Sequence, residues 1–289
     1  MLQTSFGSRP PTRLMNRLRR FFLAPTAAIM LVLFFLPLLI VFAYSLLTRG
    51  AYGGATLPWT AESYSRVFDP LYGQIVWRSV WVAALSTVIC LVLGFPLALY
   101  ISRSERHKAL LLSLVMLPFW TSFLIRTYAW MFLLRDTGLI NSALGGMHLI
   151  QAPLPLLFNT GSVILGLVYG YLPFMVLPLY ATLEKLDPSL LEAAEDLGAS
   201  PWVAVWRVVL PLTKSGMIAG CLLVFVPCFG AYLTPDLMGG GKTVMVGNLV
   251  QNQFTTSRDW PFGAAVSLLL MMLALGVTAL LKRKQEELL

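Results

Sequence analysis

The chain of 289 residues is 57% hydrophobic and only 12% charged, against about a quarter charged in a soluble domain. Its mean hydropathy of +0.76 excludes a soluble globular class and indicates an integral membrane protein. The formal charge of +8 does not point to nucleic acid, because the basic residues are scattered over the connections between apolar runs. Cys90, Cys221 and Cys228 lie inside apolar runs without C-x-x-C spacing, and His107 and His148 stand far apart, so neither a disulfide framework nor a zinc site is indicated.

In chain order, six stretches reach the roughly 20 apolar residues that cross a bilayer: Phe21–Leu47, Ser79–Ile101, Ala109–Leu134, Gly161–Leu183, Ser215–Leu237 and Gly263–Leu281. They predict an all-α polytopic domain over residues 21–281, between a basic cytoplasmic segment over residues 1–20 and a cytoplasmic tail over residues 282–289. Leu18–Leu23, LRRFFL, holds the core of a twin-arginine export signal. The apolar run behind it is too long for a signal and five more spans follow, so it reads as a retained first helix. Fourteen Lys and Arg residues, among them Arg17, Arg20, Arg103, Lys108, Lys185, Arg207 and Lys284, fall on one side, and Arg49, Arg66, Arg135, Lys242 and Arg258 on the other. This asymmetry places both termini in the cytoplasm.

Pro37, Pro96, Pro118, Pro173, Pro178 and Pro227 fall inside the spans, where each removes a backbone hydrogen bond and kinks a helix. Ordinary bundle packing and a pathway between bent helices both accommodate them. Arg126, in FLIRTYAW of the third span, would cost about 2.5–3.5 kcal/mol at mid-bilayer on insertion scales. It is expected to snorkel toward the outer surface or to serve as a gate or ion pair, with Asp236 as the candidate partner.

Between the fourth and fifth spans lies the most polar and most punctuated stretch, LLEAAEDLGASPWVAVWRVVLP, Leu190–Pro211. Asp187 suits an N-cap, Pro188 the first helical position and Gly198 the left-handed residue after the last turn. Ser200 and Pro201 restart a helix over Trp202–Leu210, and Pro211 ends it. Glu192, Glu195 and Asp196 alternate with Leu190, Leu191, Ala194 and Leu197, while Trp202 and Trp206 stand one turn apart. An acidic helix pair is unsuited to an anionic leaflet and suits a groove on another protein.

The pattern E-A-A, three residues, Gly, nine residues, Ile, any residue, Leu-Pro is matched by Glu192, Ala193, Ala194, Gly198, Leu210 and Pro211, with Val208 in the isoleucine place. It resembles the cytoplasmic signature of permease subunits of bacterial binding-protein-dependent ABC importers. Leu117–Leu134, the GLIN of Gly138–Asn141, Tyr232–Phe254 and Arg258–Ser267 are similar to the spermidine/putrescine subgroup. The resemblance implies a type I importer permease fold in the bacterial inner membrane, with residues 184–214 as the ATPase-docking loop. It also implies two cytoplasmic ATPase subunits, a second permease expected to be a different chain, and a periplasmic solute-binding protein. No cofactor is expected here, since ATP is bound by the partner.

Gly241-Lys242-Thr243 does not make a P-loop, because the Gly that the motif needs is replaced by Asp236. The expected solute path runs past Asp236 at the outer end of the fifth span. Trp120, Tyr128, Tyr169, Tyr171 and Tyr232 would offer aromatic faces to an ammonium group. Asp236 could instead cap the following turn or pair with Arg126. The alternatives at the level of function are the same importer class acting on another small organic solute, and a stand-alone ion-coupled transporter, although no convincing internal repeat supports the latter.

Overall fold

The computed structural model describes residues 12–286; residues 1–11 of the predicted basic segment and 287–289 of the predicted tail lie outside the described residues. Helices α1 (Thr12–Ser45), α3 (Pro70–Arg103), α7 (Thr160–Leu183) and α14 (Trp260–Glu286) are each long and apolar enough to cross a bilayer, and two bent helix pairs raise the spans to six. In the first pair α4 (Lys108–Met116), with a 3-10 turn at Leu117–Trp120, leads into α5 (Phe123–Leu134) and α6 (Leu139–Gly146). In the second, a segment over α9 (Pro201–Ala204) and α10 (Leu210–Leu212) bends into α11 (Lys214–Phe229).

Two predicted spans differ from the structure. The third, expected to be continuous over Ala109–Leu134, bends by 88°. Thr121 and Ser122 are extended there, and Thr121 turns both its N–H (3.3 Å) and its hydroxyl (2.8 Å) onto the Pro118 carbonyl. The fifth, expected to reach Leu237, ends at Phe229 with Gly230 as its cap. The chain resumes as α12 (Leu233–Gly239), which Gly240 closes in the left-handed region at φ +55°. Asn248, at the start of α13 (Val246–Thr255), donates to the Tyr232 carbonyl at 2.8 Å, which also accepts the Asp236 N–H at 2.9 Å, and so ties α13 to the start of α12 after the break.

The starts of the unbroken helices follow from local chemistry. Asp69 accepts the Leu71 N–H at 2.9 Å with Pro70 at the first position of α3. Asn159 and Ser162 form a reciprocal capping box at α7 (2.9 and 3.3 Å). Helices α3, α7 and α11 pack on one another and share the core, with Ala83, Cys90, Leu167, Met175, Val176 and Val224 fully buried. Close approach is possible because Gly216 and Gly220, one turn apart on α11, face α7. A Cβ on Gly220 would lie 2.7 Å from Met175 Sδ, and one on Gly216 would lie 2.9 Å from the Pro178 carbonyl oxygen. By contrast, most of α1 is exposed, and it is held mainly by α14, with Ser45 at its end buried and hydrogen-bonded to the Tyr64 hydroxyl at 2.7 Å.

On the side assigned outward, β1 (Leu47–Arg49) and β2 (Ala55–Trp59) form an antiparallel hairpin, followed by α2 (Glu62–Val67). This region grips the turn before α14. Arg66 Nη1 donates to Asp259 Oδ2 at 2.9 Å and its guanidinium lies 4.4 Å from the Phe262 ring centre. Arg49 donates to the Ser257 carbonyl and Gly54 to the Arg258 carbonyl, both at 2.7 Å. Asp259, 1% exposed, also accepts the Phe262 N–H at 3.2 Å and so caps α14.

Because the α7–α11 contact has no spare room, Gly220→Ile is expected to force the two helices apart and to destabilise the detergent-solubilised protein by about 1–3 kcal/mol. Thermal unfolding followed by tryptophan fluorescence measures it. Gly276→Ile, at a glycine on α14 with no neighbouring atoms within reach, is the matched control and is expected to leave the midpoint unchanged.

Candidate functional site

The predicted docking loop is built as two short helices set at an angle. Asp187 Oδ1 accepts the Ser189 N–H at 3.0 Å and opens α8 (Ser189–Asp196). These hydrogen bonds, from the Ser189 backbone first and then its hydroxyl, hold the Asp187 carboxyl below its usual range. At the other end Gly198 donates to the Glu195 carbonyl at 2.8 Å and Ala199 to the Ala194 carbonyl at 3.0 Å, with Gly198 at φ +81°. This paired pattern is a Schellman closure, which needs a left-handed residue. Ser200 is extended and Pro201 begins α9.

The second helix corrects one expectation. It does not stop at Leu210, because a π turn over Val205–Val209 carries it through Pro211 to Leu212. Pro211 has no N–H to return to Arg207, and the widened turn, with Leu210 N–H bonded to the Val205 carbonyl, absorbs the loss. The chain then bends by 72° at Thr213, whose buried hydroxyl is tied to the Val209 carbonyl at 2.9 Å, and enters α11. Leu197 (89% exposed), Trp202 (72%) and Trp206 (56%) leave an uncovered apolar surface on the pair, beside the exposed Glu192, Ala193 and Pro211. Ala194 and Leu210 are half-buried, and Leu191, Val205 and the fully buried Val209 pack the pair against the bundle core. A hollow of about 500 Å³ lined by Lys185, Leu190 and Leu212 opens beside α8.

The residues expected along the solute path divide into two groups. Tyr169 and Tyr171 are half-buried on α7. Tyr169 meets Trp130 edge to face at 5.5 Å, and Tyr171 lies 6.1 Å from Phe174, which in turn meets Phe119 at 4.9 Å. Trp120, Tyr128 and Tyr232 are exposed. Asp236 stands in the first turn of α12, exposed, and among the described residues its carboxylate has no hydrogen bond or ion pair.

Arg126 does not pair with Asp236 in this structure, nor does it snorkel free. Its guanidinium carbon lies 5.4 Å from the Phe119 ring centre and 5.7 Å from that of Phe123, and Nε and Nη1 are buried with no hydrogen-bond partner. A cavity of about 10 Å³, space for roughly one water, lies beside it, walled by Thr127, Trp130, Gly166 and Tyr169. Phe119, Phe123 and Trp130 were not singled out from the sequence. Phe123 was legible, standing three residues before Arg126 on one helix face, but the break at Thr121–Ser122 hides the position of Phe119.

The polar GLIN stretch has a structural role. Asn141 takes the Leu154 N–H on Oδ1 and gives Nδ2 to the Leu154 carbonyl, both at 2.9 Å, and so fixes the loop that follows α6.

The family model described as the binding-protein-dependent transport system inner membrane component matches residues 90–284. The chain is 46% identical to the spermidine/putrescine transport system permease protein PotB of Haemophilus influenzae, over 87% of this chain and 91% of that protein. It is likewise 46% identical to PotB of Escherichia coli, over 83% and 88%. It is 34% identical to the inner membrane ABC transporter permease protein YdcU of Escherichia coli, over 78% and 75%. Among solved structures, a bacterial ABC transporter involved in import of the acidic polysaccharide alginate superimposes with TM-score 0.71 at 16% identity, covering 95% of this chain and 99% of that one. A second alginate transporter structure, in complex with a pentasaccharide-bound periplasmic protein, gives TM-score 0.76 at 15% identity, covering 92% and 93%.

A Cβ at Gly198 would meet open space, so a substitution there acts through the backbone alone. Val is expected to break the Schellman closure, since the left-handed region costs a β-branched residue about 1–2 kcal/mol, whereas Asn is expected to keep it. Spin labels at Leu190 and Val203 read the angle: the distance distribution should broaden in Gly198→Val and stay narrow in Gly198→Asn. The depressed Asp187 carboxyl adds a sign. Its capping is present above the ordinary carboxylate range and is lost only as pH falls below about 4, so the same distribution should be constant from pH 8 to pH 5.

Proposed function

This chain belongs to the family of binding-protein-dependent transport system inner membrane components, and we propose that within it the chain is the permease subunit of an ATP-driven importer of polyamines, spermidine or putrescine, from periplasm to cytoplasm. The observation that carries this reading is the 46% identity to spermidine/putrescine permeases along nearly the whole chain, and the exposed helix pair α8–α9 fits it. That pair presents Glu192, Ala193 and Gly198 with an uncovered apolar surface, the form in which one protein offers a helix to the groove of another. The occupant of this role is a cytoplasmic ATPase, of which an assembled importer has two. ATP is hydrolysed there and not on this chain. A second permease, a different chain, completes the pathway, and a periplasmic binding protein delivers the solute.

The mechanical route through this chain follows from its packing. Motion of the docked pair reaches α11 through the buried elbow at Thr213. Helix α11 rides on α7 along Gly216 and Gly220 and passes the displacement to α12, where Asp236 stands. With Tyr232 beside it, Asp236 supplies the charge that receives an ammonium group. The Lys and Arg asymmetry supports a cytoplasmic place for the helix pair and for both termini.

In a strain lacking polyamine uptake, expression with the cognate subunits is expected to restore ATP-dependent spermidine or putrescine import. Gly198→Val should insert normally yet lose ATPase co-purification and import, while Gly198→Asn retains both. Normal capture and uptake in Gly198→Val would sink the docking reading. Asp236→Asn, at matched expression and with intact assembly, is expected to lower uptake about tenfold or more, since a neutral amide keeps the shape but not the charge. For orientation, a cysteine replacing Ser200 in a cysteine-free background should react with impermeant maleimide only from the cytoplasm, and one replacing Thr256 only from outside.

A further inference from the structure

Lys108 opens α4, and its Nζ lies 3.0 Å from Oε1 of Glu184, the cap residue of α7. The two stand 76 positions apart, so the contact is tertiary. Glu184 is itself fixed to α7, where its N–H donates to the Tyr180 carbonyl at 2.8 Å. The Tyr180 phenol first, and then the Lys108 ammonium, hold the Glu184 carboxyl below its usual range.

A second contact joins the same two segments one helix length away. Phe119, in the 3-10 turn that follows α4, meets Phe174 of α7 edge to face at 4.9 Å. Lys108 and Phe119 are eleven residues apart, Phe174 and Glu184 ten, about 15 Å along a helix. The matched spacing sets α4 and its turn antiparallel beside α7, fastened at both ends. Between the fastenings α4 buries no residue fully. It packs on α3 and on its own turn, with Leu111, Leu112 and Val115 half-buried against the core.

The two ends lead to different places. Glu184 stands three residues before Asp187, which opens the docking helix α8, and three residues span at most about 11 Å. At the far end, the turn that carries Phe119 and Trp120 runs through the extended Thr121 and Ser122 into α5, which bears Arg126 and Tyr128. A displacement of α8 that pulls on the end of α7 therefore acts on Lys108 through the ion pair, and α4 carries it to the break. With side chains 33% and 43% exposed, the pair adds little to the stability of the fold. That suits a link remade in each cycle better than a staple.

We propose that Lys108 and Glu184 are positioning residues of the transport cycle: their ion pair passes motion of the docked α8–α9 pair to the bent third span. The Thr213 elbow delivers the same motion to α11, so the two broken spans move together. This inference rests on the importer reading and adds a second route of coupling to it.

The test uses this chain with its second permease and ATPase in proteoliposomes, with enclosed ATP, external binding protein and radiolabelled spermidine. Uptake and ATP hydrolysis are measured on the same vesicles, and their ratio is the readout. Lys108→Gln should keep ATPase capture and the thermal midpoint, yet lower spermidine moved per ATP about two- to fivefold, the range of one exposed ion pair. Lys108→Arg, which keeps the charge, should retain the ratio. Glu184→Gln should lower it to the same extent and the double variant no further, because the two act as one unit. Exchanging the charges, Lys108→Glu with Glu184→Lys, should restore it. An unchanged ratio in the single variants, additive losses in the double variant, or a loss that the exchange leaves in place overturns the positioning role. Should one single variant fail to assemble, the other is read against the exchange. Failure of both assigns the pair to folding and overturns the proposal as well. Wild-type vesicles that hydrolyse ATP and import no spermidine instead defeat the importer reading.

Discussion

A helix can be interrupted inside a bilayer only where neighbouring protein takes over the hydrogen bonds that the interruption releases. This chain meets that demand twice, at Thr121–Ser122 and at Gly230–Tyr232, and in both places the repair is local and specific. Thr121 folds its own N–H and hydroxyl onto the Pro118 carbonyl, and Asn248 reaches back from α13 to the Tyr232 carbonyl. The segments that leave these repairs, α5 and α12, pack against each other. The two charged residues held within them, Arg126 and Asp236, therefore sit on short pieces rather than on long rods. The α3–α7–α11 core stands behind them.

The docking pair was legible in the sequence because its signals are short-range. Asp187, Gly198 and Pro201 each act on backbone groups within a turn of themselves, and the structure uses Asp187 and Gly198 as the capping rules require. The pathway was less legible. A count over some 20 residues averages across Thr121–Ser122 and across Gly230–Tyr232, so it sees one span where the chain makes two pieces. The breaks are the extended pair Thr121–Ser122 in one case and Gly230–Tyr232 in the other, and the bond from Asn248 that supports the second comes from another helix, which a count of apolar residues does not register. The Arg126–Asp236 pair failed as a fixed contact for the same reason: its geometry depends on how α12 returns after the break.

The bundle has an inner and an outer part. The family match covers residues 90–284, which holds the C-terminal part of α3, all of α4 to α13 and most of α14. Helix α1 lies before it, is exposed along most of its length and touches the rest chiefly through α14. Its two prolines stand on this exposed apolar length, away from the α3–α7–α11 core.

The outer clasp has a consequence for how the protein is made. Arg66 and Asp259 are separated by 193 positions, and Arg49 and Ser257 by 208. At synthesis rates of about 5–20 residues per second, the hairpin and α2 emerge on the order of 10–40 s before the turn they grip. During that interval the first outer segment has no partner, and the Arg66 guanidinium has no carboxylate. Closure waits for the last helix to be inserted. A chain stalled or truncated before residue 259 would hold five of the six spans and lack the carboxylate that Arg66 grips, so the clasp closes only on a chain that has been made through α14.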